Sequence, residues 1–177
     1  PKNDWPSGLF GQFTFADIRV NPDGQLDAPV TLNQGMMDFR LLLEPFELQV
    51  KQFFAEDIGR NVVANGSALL RADQQGWSAN VDASTPWAMS AHVLAYWPPN
   101  FKPKSRNWVQ QNVKTAVLHD IQYSMRLKEG KPPETDLGFS YHDAEMRILK
   151  TLPPIKNSSG QFSVANNRLA TQLTTAS

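Results

Sequence analysis

The sequence predicts a mainly β protein: an antiparallel curved sheet or β-groove of repeating hairpins, with two short helices in its middle. Three observations carry that prediction. Apolar residues recur at every second position over most of the chain, turn signals punctuate them, and the alternation fails only near the centre. Successive side chains on a strand point to opposite faces, so a half-buried strand reads apolar at alternate positions.

Taken in order, Phe13 and Phe15 alternate, then Val30 and Leu32, then Phe39, Leu41 and Leu43, then Phe46, Leu48 and Val50, each set on one parity. Val62, Ala64, Ala68 and Leu70 share a face, and Trp77, Ala79, Val81 and Ala83 follow the turn-prone Gln74, Gln75 and Gly76. Asn21-Pro22-Asp23-Gly24 combines a proline preset for a bend with a glycine free to take positive φ. Hairpins of this kind make an antiparallel sheet with one apolar and one polar face, unlike the continuous apolar runs of parallel sheets.

Residues 86–96 (PWAMSAHVLAY) read as one short helix with Pro86 in its first turn, ended by Trp97-Pro98-Pro99. Residues 103–113 (PKSRNWVQQNV) read as a second, with Trp108, Val109 and Val113 near one face. Strands then resume. Val117, Ile121, Tyr123, Met125 and Leu127 fall on one parity with His119 among them, followed by Leu137, Phe139 and Tyr141, then Met146 and Ile148. Phe162 with Val164 and Leu169 with Leu173 flank Asn166-Asn167 as a last hairpin. The organisation expected is a first β unit over 1–85, a helical connector over 86–114 and a second β unit over 115–177, truncated at its C-terminal end. GQFTFADIRV at 11–20 recurs as GQFSVANNRL at 160–169, read either as true repetition or as coincidence within the small alphabet of strands.

Composition excludes several function classes. The 177 residues carry 17 Lys plus Arg against 17 Asp plus Glu, so no bulk field draws the chain to nucleic acid or an anionic surface. The absence of cysteine removes disulfides, thiol catalysis and zinc-thiolate sites. The longest apolar run, 39–46, is far short of the ~20 residues of a spanning helix, and 1–7 has no signal-peptide character. Both ends read as cuts within a longer protein, whose exposed sheet edges tend to stack.

Chemistry-bearing motifs are few. No G-x-S-x-G elbow occurs, and Asn65-Gly66-Ser67 reads as a bend within a sheet rather than a nucleophile. His92, His119 and His142 show no ligand spacing, so no metal site is expected. His119-Asp120 and His142-Asp143 are neighbours on strands, whose side chains point to opposite faces, so neither pair forms a dyad. Asn21, Asp23 and Asp27 depart from the calcium-loop pattern and read as a turn. No glycine-rich loop cradles phosphate. No catalytic residue and no cofactor is expected.

About eleven one-sided strands with two short helices pose a problem of coverage. The sheet can pair as a sandwich, close as a barrel, or curl into a trough whose apolar floor holds a ligand.

The stretch YWPPNFKPKSRNWVQQNV at 96–113 resembles the centre of the AsmA-like bacterial envelope proteins. The likeness continues through the strand at 115–127, the aromatic strand at 137–141, the Leu152-Pro153-Pro154-Ile155 segment and Gly160, and upstream through the Gly11-Gln12-Phe13 strand, the strand at Pro29 and the hairpin of Gly66 and Gly76-Trp77. It rests on the order of short motifs over nearly the whole chain. The resemblance implies a non-enzymatic segment of a bridge-like lipid carrier. Such proteins are anchored in the inner membrane by an amino-terminal helix, and their β-groove carries phospholipid through the periplasm toward the outer membrane. Its partners would be phospholipid acyl chains and neighbouring β-repeats, with no nucleic acid, and membrane contact only through parts outside this chain. The implied groove floor is Phe39, Leu41 and Leu43, then Phe46, Leu48 and Val50, then Ile121, Tyr123 and Met125, then Phe139 and Tyr141, with Trp97-Pro98-Pro99 and Leu152-Pro153-Pro154 as rigid corners. The same sets fit a closed protein core, and a closed β-sandwich module that binds protein or glycan is the alternative.

Overall fold

The computed structural model describes residues 7–149, 151–165 and 168–175. Its strands are β1 (Gly8–Val20), β2 (Val30–Leu43), β3 (Phe46–Asp57), β4 (Val62–Asp73), β5 (Gly76–Met89), β6 (Val113–Lys128), β7 (Glu134–Met146), β8 (Ile155–Ala165) and β9 (Arg168–Thr175), with helices α1 (Ser90–Val93) and α2 (Pro103–Asn112) between β5 and β6. All nine strands form one sheet in chain order, each antiparallel to the next, with β1 and β9 at its edges. The sheet is open, so neither the barrel nor the sandwich is the solution adopted.

The expected strands are present but fewer and longer. Val30 with Leu32 and Phe39 to Leu43, read as two strands, are the two ends of the 14-residue β2, and Leu137 to Tyr141 and Met146 belong to the 13-residue β7. Strands this long exceed the usual 5–6 residues. They persist because irregularities are absorbed inside them. Asp17, Asp120, Asp143 and Asn157 all take left-handed backbone, with φ of 51, 53, 51 and 47°, a conformation that Asp and Asn tolerate better than other side chains. Each shifts the alternation of its strand without ending it. The turn at 166–167 lies outside the described residues, but β8 and β9 pair on either side of it, Ala165 opposite Arg168.

The helix expected over 86–96 is shorter. β5 continues through Pro86 to Met89, and only Ser90–Val93 is α-helical before a 3-10 turn at Leu94–Tyr96. Pro86 is tolerated because the ladder skips it: Thr85 pairs with Ile121 and Trp87 with His119, leaving Pro86 opposite the left-handed Asp120. The second helix forms as read, with Pro103 in its first turn.

Opposed residues of an antiparallel ladder share a face, so the register can be followed across the sheet. Met37, Phe53, Gly66, Ala83, Tyr123, Leu137 and Val164 make one row. Phe39, Val50, Ala68, Val81, Met125 and Thr135 make the next, and Leu41, Leu48, Leu70, Ala79 and Leu127 a third. These rows are almost wholly apolar. The opposite face carries rows such as Ser67, Asp82, Ser124 and Asp136, tied by Arg126 to Asp82 at 2.7 Å and by Gln12 and Gln52 to Asp38 at 2.9 and 2.8 Å.

Gly66 shows why these rows need a glycine. β4 runs unbroken through Asn65-Gly66-Ser67 rather than bending there, and a Cβ on Gly66 would meet the Asp82 carbonyl and the Phe53 ring. The irregularity falls instead on the neighbouring strand, between Val50 and Phe53.

Candidate ligand-binding face

Among the described residues, Val30, Val50 and Val62 are buried separately, and the buried apolar cluster lies where the connector between β5 and β6 meets the apolar face. Ala116, Leu118, Tyr141 and Ala144 form that cluster, and Val93 of α1 packs on it. Alanines at 2 and 0 % exposure let the short helix approach closely. Beyond the connector none of the described residues forms a second layer over the face, and Leu9, Phe13, Leu43 and Trp77 are 57, 52, 51 and 52 % exposed.

All of the groove candidates lie on this one face. Phe39 pairs with Val50, Leu41 with Leu48 and Leu43 with Phe46 across β2 and β3. Met125 and Tyr123 continue two of the rows on β6, with Ile121 beside them. Phe139 stacks on Phe162 with centroids 4.9 Å apart. They differ in accessibility. Tyr141 belongs to the dry cluster, and Ile121 and Phe139 pack against it, so these three lie in the covered part. Leu41, Phe46, Leu48 and Met125 are half-buried outside that cluster, Val50 is buried there, and burial pushes the Tyr123 hydroxyl pKa above its ordinary value. The face also includes Met37, Phe53, Leu70, Leu137 and Phe162, which join it through the register. The alternation of β4 and β7 already pointed to Leu70 and Leu137.

The connector is fastened across the sheet. Arg106 of α2 donates to the carbonyls of Trp97 and Leu94 at 2.9 and 3.4 Å and pairs with Asp27 in the β1–β2 loop. Asp27 thus serves the connector rather than a calcium loop, and Asn21 closes its own turn by accepting from the Leu26 amide at 2.9 Å. Lys102 reaches Thr135, in the Met125 row, at 2.7 Å. His92 meets the Arg60 carbonyl at 2.9 Å in the β3–β4 turn.

Beside that turn, Asp57 is buried and accepts from the Tyr96 hydroxyl and from Arg60, both at 2.7 Å. Burial alone would raise the Asp57 pKa, but the hydrogen bonds from Tyr96 and from the Arg60 side chain and amide outweigh it and hold the carboxyl below its ordinary 3.8. Burial and the adjacent carboxylate push the Tyr96 hydroxyl well up. A depressed folded pKa stabilises the protein above the unfolded value and loses that contribution as pH falls through the folded value. Asp57→Asn is therefore expected to cost about 1–3 kcal/mol at neutral pH. Urea titrations should show wild type losing stability more steeply than the variant below pH 3.8.

Two of the three histidines, which sequence spacing kept apart, are brought together. The left-handed Asp120 places Val117 and His119 on the polar face, opposite to Ile121 and Tyr123, where the expected parity had joined them. There the rings of His119 and His142 lie nearly parallel, 20° apart, with centroids at 4.7 Å and their Nε2 edges facing. His142 Nδ1 lies 2.8 Å from Asp143 Oδ2. The expectation that neighbouring strand residues cannot pair fails here, because φ of 51° at Asp143 breaks the alternation on which it rested.

These features define a mainly β protein built on a single open antiparallel sheet, with one continuous apolar face that a short connector covers in part. No protein-family model, curated protein or solved structure matches the chain. Among the described residues no helix is long and apolar enough to cross a membrane.

Proposed function

We propose that this chain is a non-enzymatic segment of an AsmA-like envelope protein, and that its uncovered apolar face forms part of a groove for phospholipid acyl chains passing between inner and outer membranes. The observation that supports this reading is the set of apolar rows crossing β2 to β7, over which none of the described residues forms a second layer beyond the connector. Acyl chains laid along those rows gain about 0.8 kcal/mol per buried CH₂ while head groups stay in water. No step requires a bond to be made or broken. On this reading the chain resides in the periplasm, with neighbouring β-repeats of an inner-membrane-anchored protein extending the groove.

Native mass spectrometry with organic extraction tests it. Phospholipid at near-stoichiometric amounts is the expected result. A lipid-free protein that also takes up no fluorescent fatty acid overturns the reading for this segment.

A further inference from the structure

On the polar face, two His-Asp dipeptides occupy adjacent strands, His119-Asp120 on β6 and His142-Asp143 on β7, each with its aspartate in left-handed backbone. The bulges at these aspartates turn the imidazoles toward each other, leaving His119 Nε2 and His142 Nε2 only 2.7 Å apart. We propose that this pair of Nε2 atoms, converging across β6 and β7, binds a divalent transition metal ion of the zinc, copper or nickel type.

Imidazole nitrogen suits these borderline ions, whereas calcium and magnesium prefer oxygen. Ligation requires both Nε2 lone pairs to be free. Asp143 holds the proton of His142 on Nδ1, 2.8 Å from its carboxylate, which bares His142 Nε2 and fixes the ring. Carboxylates commonly orient a ligating histidine in this manner. His119 frees its own Nε2 by carrying its proton on Nδ1, so the ion takes the place of the hydrogen bond between the rings. Metal-nitrogen bonds of 2.0–2.1 Å at a tetrahedral angle set the two nitrogens about 3.3 Å apart. The rings must then open by roughly half an ångström, which the partly exposed side chain of His142 allows.

Among the described residues no group of three or more His, Cys, Asp or Glu converges, so water completes the coordination shell. Affinity is therefore weaker than in a closed four-ligand site. The ion would staple β6 to β7 where bulges interrupt their ladder. This site is on the face opposite the apolar rows and does not depend on the lipid reading.

Isothermal titration of the metal-free chain with Zn²⁺ is the test, followed by thermal melting with free Zn²⁺ about tenfold above the measured Kd. One ion per chain and a rise of about 3–5 °C in Tm are expected. His119→Gln and His142→Gln should each weaken binding at least tenfold. Asp143→Asn should weaken it about tenfold by releasing the His142 ring, and His92→Gln should leave it unchanged. Circular dichroism and cooperative melting establish that each variant is folded. Absence of saturable binding at millimolar Zn²⁺, or binding that survives both His119→Gln and His142→Gln, overturns the proposal.

Discussion

Met125→Asp is expected to reduce co-purified phospholipid at least tenfold while lowering stability by only about 1 kcal/mol. Met125 is half-buried at the middle of an apolar row, between Val81 and Thr135. A carboxylate placed against hydrocarbon costs about 2.5–3.5 kcal/mol even where it can reach toward water, and each 1.4 kcal/mol is a tenfold change in affinity. Without lipid the same carboxylate keeps access to water, because the described residues leave position 125 only half-buried, and much of its hydration survives. In a closed core the ordering would reverse. An unpaired buried carboxylate would then cost several kcal/mol of folding free energy, and the protein would fail before any lipid assay. Paired measurements on one preparation, extracted lipid per chain and urea stability, separate these cases. Leu41→Asp, on β2 in the neighbouring row, should behave alike. Unchanged lipid content in both variants would sink the groove reading.

The face of the sheet was legible because alternation reports which side of a strand a residue lies on. Leu41, Leu43, Phe46 and Leu48 fell where their parity placed them, since the hairpin between β2 and β3 keeps register through the turn. Alternation stops reporting at a bulge. Nothing in the string His119-Asp120-Ile121 announces that Asp120 takes φ of 53°, and that one torsion moves His119 to the opposite face from Ile121. The His119–His142 pair was invisible for the same reason, because it depends on two bulges on different strands. Strand length is not legible where polar or turn-prone residues, such as Asn33 and Gln34 in β2, remain in the ladder or beside it. Arg106 is set apart from nearby Lys104 by nothing in PKSRNWVQQNV at 103–113. Its partners, Asp27 and the carbonyls of Trp97 and Leu94, come from segments that only the folded chain brings near.

Arg106→Ala should therefore loosen the connector as a unit, at a cost of about 2–4 kcal/mol. Its guanidinium is 8 % exposed and bonds to two main-chain carbonyls as well as to Asp27. Truncation leaves those carbonyls without their charged donor and opens a cavity beneath α2. Asp27→Ala removes the other end of the ion pair but should cost under about 1 kcal/mol, because that carboxylate is 61 % exposed and its attraction is screened. Arg106→Lys should rescue little, since one ammonium cannot reproduce the planar fork that serves three acceptors. The expected order of stability in urea is wild type, Asp27→Ala, Arg106→Lys, Arg106→Ala, with the last melting roughly 5–10 °C below wild type. Proteolysis near 97–102 should quicken in the same order, because Trp97 is held by Arg106 on one side and by its own indole bond to the Phe101 carbonyl, at 2.7 Å, on the other. An Arg106→Ala protein within 0.5 kcal/mol of wild type would mean that α1, packed on Ala116 and Leu118, holds the connector alone. A specific fall in proteolytic resistance at 97–102 would instead identify Arg106 as the latch that keeps the connector over its part of the apolar face.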